Sequence, residues 1–406
     1  MKRNRQMAVA LCIMGLSFAG LGHGHGGEKP MPPTDRFIQF PDTDEYQTLV
    51  VDLHTHSVFS DGHVWPRIRV GEALRDGLDA VAITEHLEYQ PHLADIPHPD
   101  RNRAYQDALA AAEGTDLMII AGTEITREAP IGHLNTVFIT DANGIFTVTT
   151  PPADASDVRA YFESANQWPA EEAVEAANKQ GGFVFWNHPF WPAIYPNGLA
   201  RMETFHSQMI EKGQLHGIEI VNGDTYSEEA HQMALDHELT LIGVSDVHDL
   251  IDWDYQPELG GHRPVTLVLA TERSADALKA GLFAGRTVVW FKNMLIGNEA
   301  NLVPLLRSIL DVESAAYRRD LDIIDIVVSN DSDATIQMKN LSPYTFEHSG
   351  DYLEIPPHGT TSFSIKAPTR LTEVTIDFEI LNALTAPKTH PRLTHKITLP
   401  EDQVAR

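Results

Sequence analysis

Short apolar runs of strand length recur from residue 49 onward, at 49–53, 79–84, 117–121, 183–186, 218–221, 240–244, 265–270 and 287–290. A further strand is expected to open at His133 and run through residue 139. Between these runs the pattern turns helical. Residues 66–76 read as a helix, with Pro66 suited to a first turn and Gly77 to the position past the end. Residues 101–113 are alanine-rich and stop at Gly114, residues 170–179 stop before Gly181-Gly182, and residues 274–284 form another helix. Residues 141–168, rich in Asp, Thr and Pro, read as a loop with one helical turn at most. Strands alternating with helices predict parallel βα units, about seven of them. That is an α/β chain folded as a distorted TIM-like barrel, whose chemistry collects at the C-terminal ends of the strands.

After about residue 298 the texture changes. Runs at 323–328, 335–338, 361–365 and 373–381 alternate or are β-branched, and turn residues such as Asn330-Asp331 and 356–359 separate them. This predicts a small all-β, sandwich-like domain over 298–406, following a barrel over 48–297. At the other end, Lys2, Arg3 and Arg5 precede an apolar run over 7–21 with small residues behind it, the pattern of a signal peptide over 1–22. Residues 23–47 read as a flexible leader, in which His23 and His25 suit a solvated linker better than metal capture. The single cysteine, Cys12, lies in the signal segment, so the mature chain has neither disulfides nor thiolate chemistry. A soluble periplasmic or secreted protein is expected, with no membrane association once the signal is cleaved. The net charge is −27 over 406 residues, and no Lys/Arg-rich run offsets it. Such a surface repels nucleic acid, so none is expected as a stable partner.

The candidate chemistry sits at the strand ends. His54 and His56 follow the first strand at i and i+2, so both project to one side. Alone, the pair could equally be buried histidines satisfied by backbone bonds. Ser60-Asp61-Gly62 adds a turn and a carboxylate, His86 follows the second strand, and Glu124 ends the third. His133, His188, Asp246 and His248 occupy corresponding positions further along, the last two again at i and i+2. Six histidines and three carboxylates on one rim are more than a core holds unpaired. Nitrogen and oxygen donors without sulfur suit Zn, Mn or Fe.

Taken in order, Asp52-Leu53-His54-Thr55-His56, Ser60-Asp61-Gly62, Ile83-Thr84-Glu85-His86, Gly122-Thr123-Glu124, His133, Asn187-His188-Pro189 and Ser245-Asp246-Val247-His248 resemble the motifs of the PHP (polymerase and histidinol phosphatase) superfamily. Glu85 is a departure, since the family more often has Asp before this histidine. The resemblance implies a (β/α)7 barrel with three divalent metal ions. His54, His56, Glu124 and Asp246 would hold one, Glu124 would bridge to a second held by His133 and His188, and Asp61, His86 and His248 would hold the third.

Family members are mostly phosphoesterases. The resemblance therefore implies hydrolysis of a phosphomonoester or a small phosphodiester by a metal-bridged hydroxide, because two cations about 4 Å apart make hydroxide available at neutral pH. Asp61 is the candidate acid for the leaving group. Arg263, with Arg127 second, is the candidate cation for the phosphate, a surface ion pair being the alternative for each. Trp186, Phe190, Trp191 and Tyr195 flank His188 and could stack on an aromatic leaving group, or serve as rim packing. Two other functions fit the same residues: an amidohydrolase-type enzyme acting on C–N or carboxyl-ester bonds, and a non-catalytic exported metal-binding or interaction protein. The oligomeric state is not legible.

Overall fold

The computed structural model describes residues 36–146, 154 and 156–400. The expected signal segment, with Cys12, and most of the expected leader lie outside the described residues. Among those described, no helix is long and apolar enough to cross a membrane.

The first strands are β1 (Gln47–Asp52), β2 (Ala80–Ile83), β3 (Met118–Ile125), β4 (Leu134–Val137), β5 (Phe183–Trp186) and β6 (Gly217–Asn222). They are followed by β7 (Thr225–Tyr226), β8 (Thr240–Val244), β9 (Val265–Ala270), β10 (Thr287–Phe291) and β11 (Met294–Ile296). The C-terminal part adds β12 (Leu310–Tyr317), β13 (Ile323–Asn330), β14 (Ile336–Asn340) and β15 (Tyr352–Ile355). It ends with β16 (Thr360–Lys366), β17 (Glu373–Ile380), β18 (Ala383–Leu384) and β19 (Arg392–Thr398). Helices cover the outer face of the barrel, and several begin on a residue whose side chain caps the first turn. Asp157, Ser227, Ser274 and Asn298 each accept a hydrogen bond from the backbone N–H three residues on.

Three departures from the expected pattern have local causes. The 141–168 stretch contains a helix, Val158–Ala165, started by the Asp157 cap. Helices Thr204–Glu211 and Glu228–Asp236 were not expected. Their apolar faces are short, and burial against the barrel rather than periodicity defines them. The sheet is also mixed. β1, β2 and β3 are parallel, and so are β5, β6 and β8, but β4 runs antiparallel to both β3 and β5. β9 and β10, expected as parallel staves, are antiparallel additions beside β1.

Closure of the barrel depends on side chains. β8 pairs along its length only with β6. On its other side Thr266 Oγ1 donates to the Gly243 carbonyl at 2.8 Å and accepts from the Gly243 N–H at 3.0 Å. Thr287 Oγ1 donates to Leu241 O at 2.8 Å. Past the end of β8 the chain meets the end of β1, where Asp246 N–H donates to His54 O and His56 N–H to Val247 O, at 3.0 and 3.1 Å. The two i, i+2 ligand pairs are thereby laid side by side.

The C-terminal strands form two sheets, β12-β13-β16 and β15-β14-β17-β19, with alternating buried and exposed positions. Their inner faces are continuous with the barrel. One apolar cluster holds Leu267, Trp290 and Leu295 together with Ile326, Phe363, Ile376 and Leu393. β18 pairs with β11 of the barrel, completing its twelve-stranded sheet.

Candidate metal centre

All nine expected ligands meet on one rim of the barrel. His133 joins them because β4 is antiparallel. Its N-terminal end lies level with the C-terminal end of β5, where Asn187 N–H donates to His133 O at 3.0 Å.

Glu124, fully buried at the end of β3, is the centre. Its Oε2 is 3.2 Å from Nε2 of both His54 and His56 and 3.1 Å from His86 Nδ1. Its Oε1 is 2.7 Å from His133 Nδ1 and 3.9 Å from His188 Nε2. Asp246 Oδ1 lies 3.1 Å from His54 Nε2 and 3.2 Å from His56 Nε2. Asp61 Oδ1 lies 3.4 Å from His86 Nε2 and 3.2 Å from His248 Nε2. Three groups have metal-binding spacing: His56, Asp61, His86 and His248; His54, His56 and Asp246; and His86, Glu124 and His133. His188 stands at the margin, with 3.9 Å to both Glu124 and Asp246. His188 and Asp246 both have positive φ, 25° and 51°, a conformation costly for residues with a Cβ and typical of functional sites.

The donor set fits cations. His54 Nε2 and His56 Nε2 face each other at 2.9 Å, and both also face Glu124 Oε2 and Asp246 Oδ1, an arrangement that a shared cation would satisfy. Glu124 Oε1, His133 Nδ1, His188 Nδ1 and Asp246 Oδ1 are buried without a hydrogen bond of good geometry, although Glu124 Oε1 faces His133 and Asp246 Oδ1 faces His54 and His56 at ion-pair distance. Burial alone would raise the pKa of Glu124, but the imidazoles of His86, His133 and His54 hold it well below the usual carboxylate range. Burial would lower His54, and the carboxylates of Asp246, Glu219 and Glu124 push it up instead. Burial and the neighbouring His133 press His188 down to about 3, leaving it neutral and available as a ligand.

A second layer orients the imidazoles, as metal-binding histidines require. His86 Nδ1 meets Thr126 Oγ1 at 2.6 Å, His56 Nδ1 meets Ser60 Oγ at 3.3 Å, and His248 Nδ1 donates to Asp246 O at 2.8 Å. His54 Nδ1 bonds Glu219 Oε1 at 2.7 Å. Glu219 was missed in the sequence, where it reads as one polar residue inside an apolar strand. It also accepts from His188 N–H at 2.7 Å and from Asn222 Nδ2 at 2.9 Å, and Asn222 donates at 3.0 Å to Asp246. One carboxylate thus touches the supports of three ligands. Glu85 bonds the hydroxyls of Ser57 and Ser60 and so ties down the turn that carries Asp61.

Two expected roles are corrected. Arg263 is buried at 1% exposure, and its guanidinium is held by Asp76 at 2.8 Å and Asp52 at 3.2 Å, so it offers nothing to a phosphate. Asp52 in turn accepts from Ser245 N–H and Oγ, which places Arg263 in the frame behind Asp246. Arg127 is likewise buried against Glu88 and the Trp168 carbonyl. Asp61 does not suit the acid role. Burial would raise its pKa, but His86, His248 and His56 hold it far below the usual range, so it carries no proton at neutral pH. Of the aromatic residues around His188, Trp186, Phe190 and Tyr195 are buried as packing. Trp191 alone is substantially exposed, at 44%, edge-on to His133 and His188.

Fold and donor set together define a barrel protein built to hold divalent cations on its rim. Comparison with known proteins agrees. A family model described as a PHP domain matches residues 52–184, and one described as an Ig-like domain matches residues 310–396. The crystal structure of a two-domain protein from Bacteroides vulgatus, containing a predicted PHP-like metal-dependent phosphoesterase, is 34% identical, with a TM-score of 0.78 over 92% of this chain and 100% of that one. A candidate metal-dependent phosphoesterase from Bifidobacterium adolescentis is 22% identical over 49% of this chain and 88% of its own, at a TM-score of 0.36. An amidohydrolase from Chromobacterium violaceum, solved with sulfate and no metal, is 17% identical over 49% and 87%, at 0.34. No match is found among curated proteins. The chain belongs to the PHP domain family.

Proposed function

We propose that this protein is an exported metal-dependent phosphoesterase that hydrolyses a phosphomonoester or a small phosphodiester. The observation that carries this reading is the gathering of eight histidine and aspartate side chains around the buried Glu124, in three groups with metal-binding spacing and with His188 at the margin. His54, His56, Glu124 and Asp246 would hold one cation, Glu124, His133 and His188 a second, and Asp61, His86 and His248 a third, drawn from Zn, Mn or Fe. When bound, such cations supply a nucleophile at neutral pH and neutralise charge developing on a phosphoryl group.

The chain's own contribution is placement. Glu219, Thr126, Ser60 and the Asp246 carbonyl fix which imidazole nitrogen faces the cluster. Asp61 acts as a ligand, since it holds no proton to give. Trp191, beside His133 and His188, and Tyr89, ring centroid 5.9 Å from that of His86, are partly exposed and would flank the substrate's approach. The substrate is small and phosphorylated, and the periplasm or the exterior is the site of action.

The test is metal quantification on the purified chain, followed by assay of the metal-loaded protein against phosphate esters, with amides and lactones as a second arm. Turnover of a phosphate ester that is lost in His56→Ala, and lost on chelation and restored by metal, is expected. Phosphoester turnover no higher than that of His56→Ala refutes the reading, and turnover of amides or lactones alone moves the protein to the amidohydrolase class.

A further inference from the structure

The inner face of β4 carries a polar residue beneath the ligands. Leu134 packs outside the barrel with Trp186 and with Ala173 and Val174 of the helix Ala170–Lys179, whereas Val137 packs inside with Leu49, Val51 and Phe185. Strand alternation therefore puts Asn135 on the inner face, between Val137 below and the ligand His133 at the rim. Asn135 is fully buried, and neither Oδ1 nor Nδ2 of its amide has a hydrogen-bond partner among the described residues. Leaving both ends of a buried amide unpaired is costly, and a residue that does so calls for a reason.

Its surroundings supply one. Asn135 stands directly opposite Glu124 of β3 on one side and Phe185 of β5 on the other. Opposed residues of an antiparallel pair point to the same face with Cβ atoms about 4.5–5.5 Å apart, a gap that an amide and a carboxylate span. Phe185 and Val137 are apolar and offer the amide nothing. Asn187 comes against residue 135 from the end of β5, because its Oδ1 accepts from the Asn135 backbone N–H at 2.9 Å. That bond fixes the Asn187 amide with Nδ2 as its free end, and Nδ2 is also buried and unpaired.

The unpaired atoms of this layer alternate in kind. Asn187 Nδ2 donates, Asn135 Oδ1 accepts, Asn135 Nδ2 donates and Glu124 Oε1 accepts. In the structure Glu124 is drawn onto four imidazoles, those of His54, His56, His86 and His133, at 2.7–3.2 Å. Imidazole nitrogens that hold cations no longer compete for this carboxylate. Each of its oxygens has two lone pairs, so one given to a cation still accepts a hydrogen bond.

We propose that Asn135 is a positioning residue of the metal centre: with cations bound, its Nδ2 donates to Glu124 and its Oδ1 accepts from Asn187 Nδ2. The chain of amides ties the central carboxylate to the residue that precedes His188, and so holds two ligands from different strands in register. The amide weakens the fold while unpaired and strengthens metal binding once paired. The inference rests on the metal-centre reading and not on the identity of the substrate.

Asn135→Leu in the full chain tests it, since Leu keeps a branched side chain and has no polar atoms. Two quantities are read: affinity for zinc and for manganese, by competition with a chromophoric chelator, and melting temperature with chelator and with metal. With chelator the variant should melt at or above the parent, because an unpaired buried polar group is gone. Its metal affinity should nevertheless fall about tenfold or more, as for other outer partners of metal ligands. The rise in melting temperature on adding metal should shrink accordingly. A purely structural asparagine would do the reverse, lowering the melt with chelator and leaving affinity unchanged. Asn135→Ala, which adds no bulk, keeps the test open should Leu not fit, and its affinity should fall as well. Folded variants that bind metal as tightly as the parent overturn the proposal alone, whereas a parent that binds neither metal overturns the metal-centre reading with it.

Discussion

Glu219 and Arg263 show how far a residue's role depends on what surrounds it. Both are buried charges next to the ligand frame, and each supports ligands through its partners. Glu219→Gln keeps the shape of the contact with His54 but removes its charge. Losing an outer partner of this kind typically weakens metal binding roughly 10- to 100-fold. The expected result is a folded protein with depleted metal on competition against a chelator, read by metal quantification. Full occupancy at the parent's affinity would show that Glu219 is only a packing residue. Arg263→Met leaves Asp52 without its cation and Asp76 with Arg36 as its close cationic partner. Breaking a buried pair from one side costs about 3–5 kcal/mol, so denaturant melts should shift strongly to lower concentration. An unchanged melt with a raised KM for phosphate esters would restore the phosphate-binding role. These two roles were invisible in the sequence for the same reason. A lone Glu in an apolar strand and an Arg before a proline carry no spacing signal, whereas His54 and His56 do.

At the level of elements, the site depends on two features of strand arrangement. The reversal of β4 brings His133 to the rim from the start of a strand rather than the end. The lateral docking of β8 brings Asp246 and His248 against His54 and His56. That docking requires Gly243: a Cβ there would lie 2.2 Å from Val289 Cγ1 on β10. Gly243→Ala should therefore force β8 away from its threonine contacts and cost roughly 1–3 kcal/mol, as overpacking does. Equilibrium unfolding checks this, and a midpoint equal to the parent's would mean that β8 and β10 do not approach so closely in solution. Most strand positions were legible because most of the buried strands are dominated by apolar residues over four to six positions. Strand direction was not, since an apolar run reads the same for either pairing.

Across the whole molecule, barrel and Ig-like domain share one apolar cluster and one strand pairing, β11 with β18. Cutting the chain after residue 298 would bare Leu295, Trp290 and the edge of β11. Exposed apolar patches and open edges of this kind drive aggregation. The truncated chain should accumulate in the insoluble fraction, and a soluble fragment melting at the parent's temperature would disprove the shared-core account.

The amino-acid order alone determined the α/β barrel, the β-rich C-terminal part and the identity of nine ligand-type residues. Those follow from local periodicity and from residue types that a core does not tolerate unpaired. Tertiary structure decided which nitrogen of each imidazole faces the cluster, that Arg263 braces the frame, and that Asp61 stays ionised. Each of these depends on partners distant in the chain, such as Glu219 for His54, 165 residues away, and local sequence carries no record of such encounters.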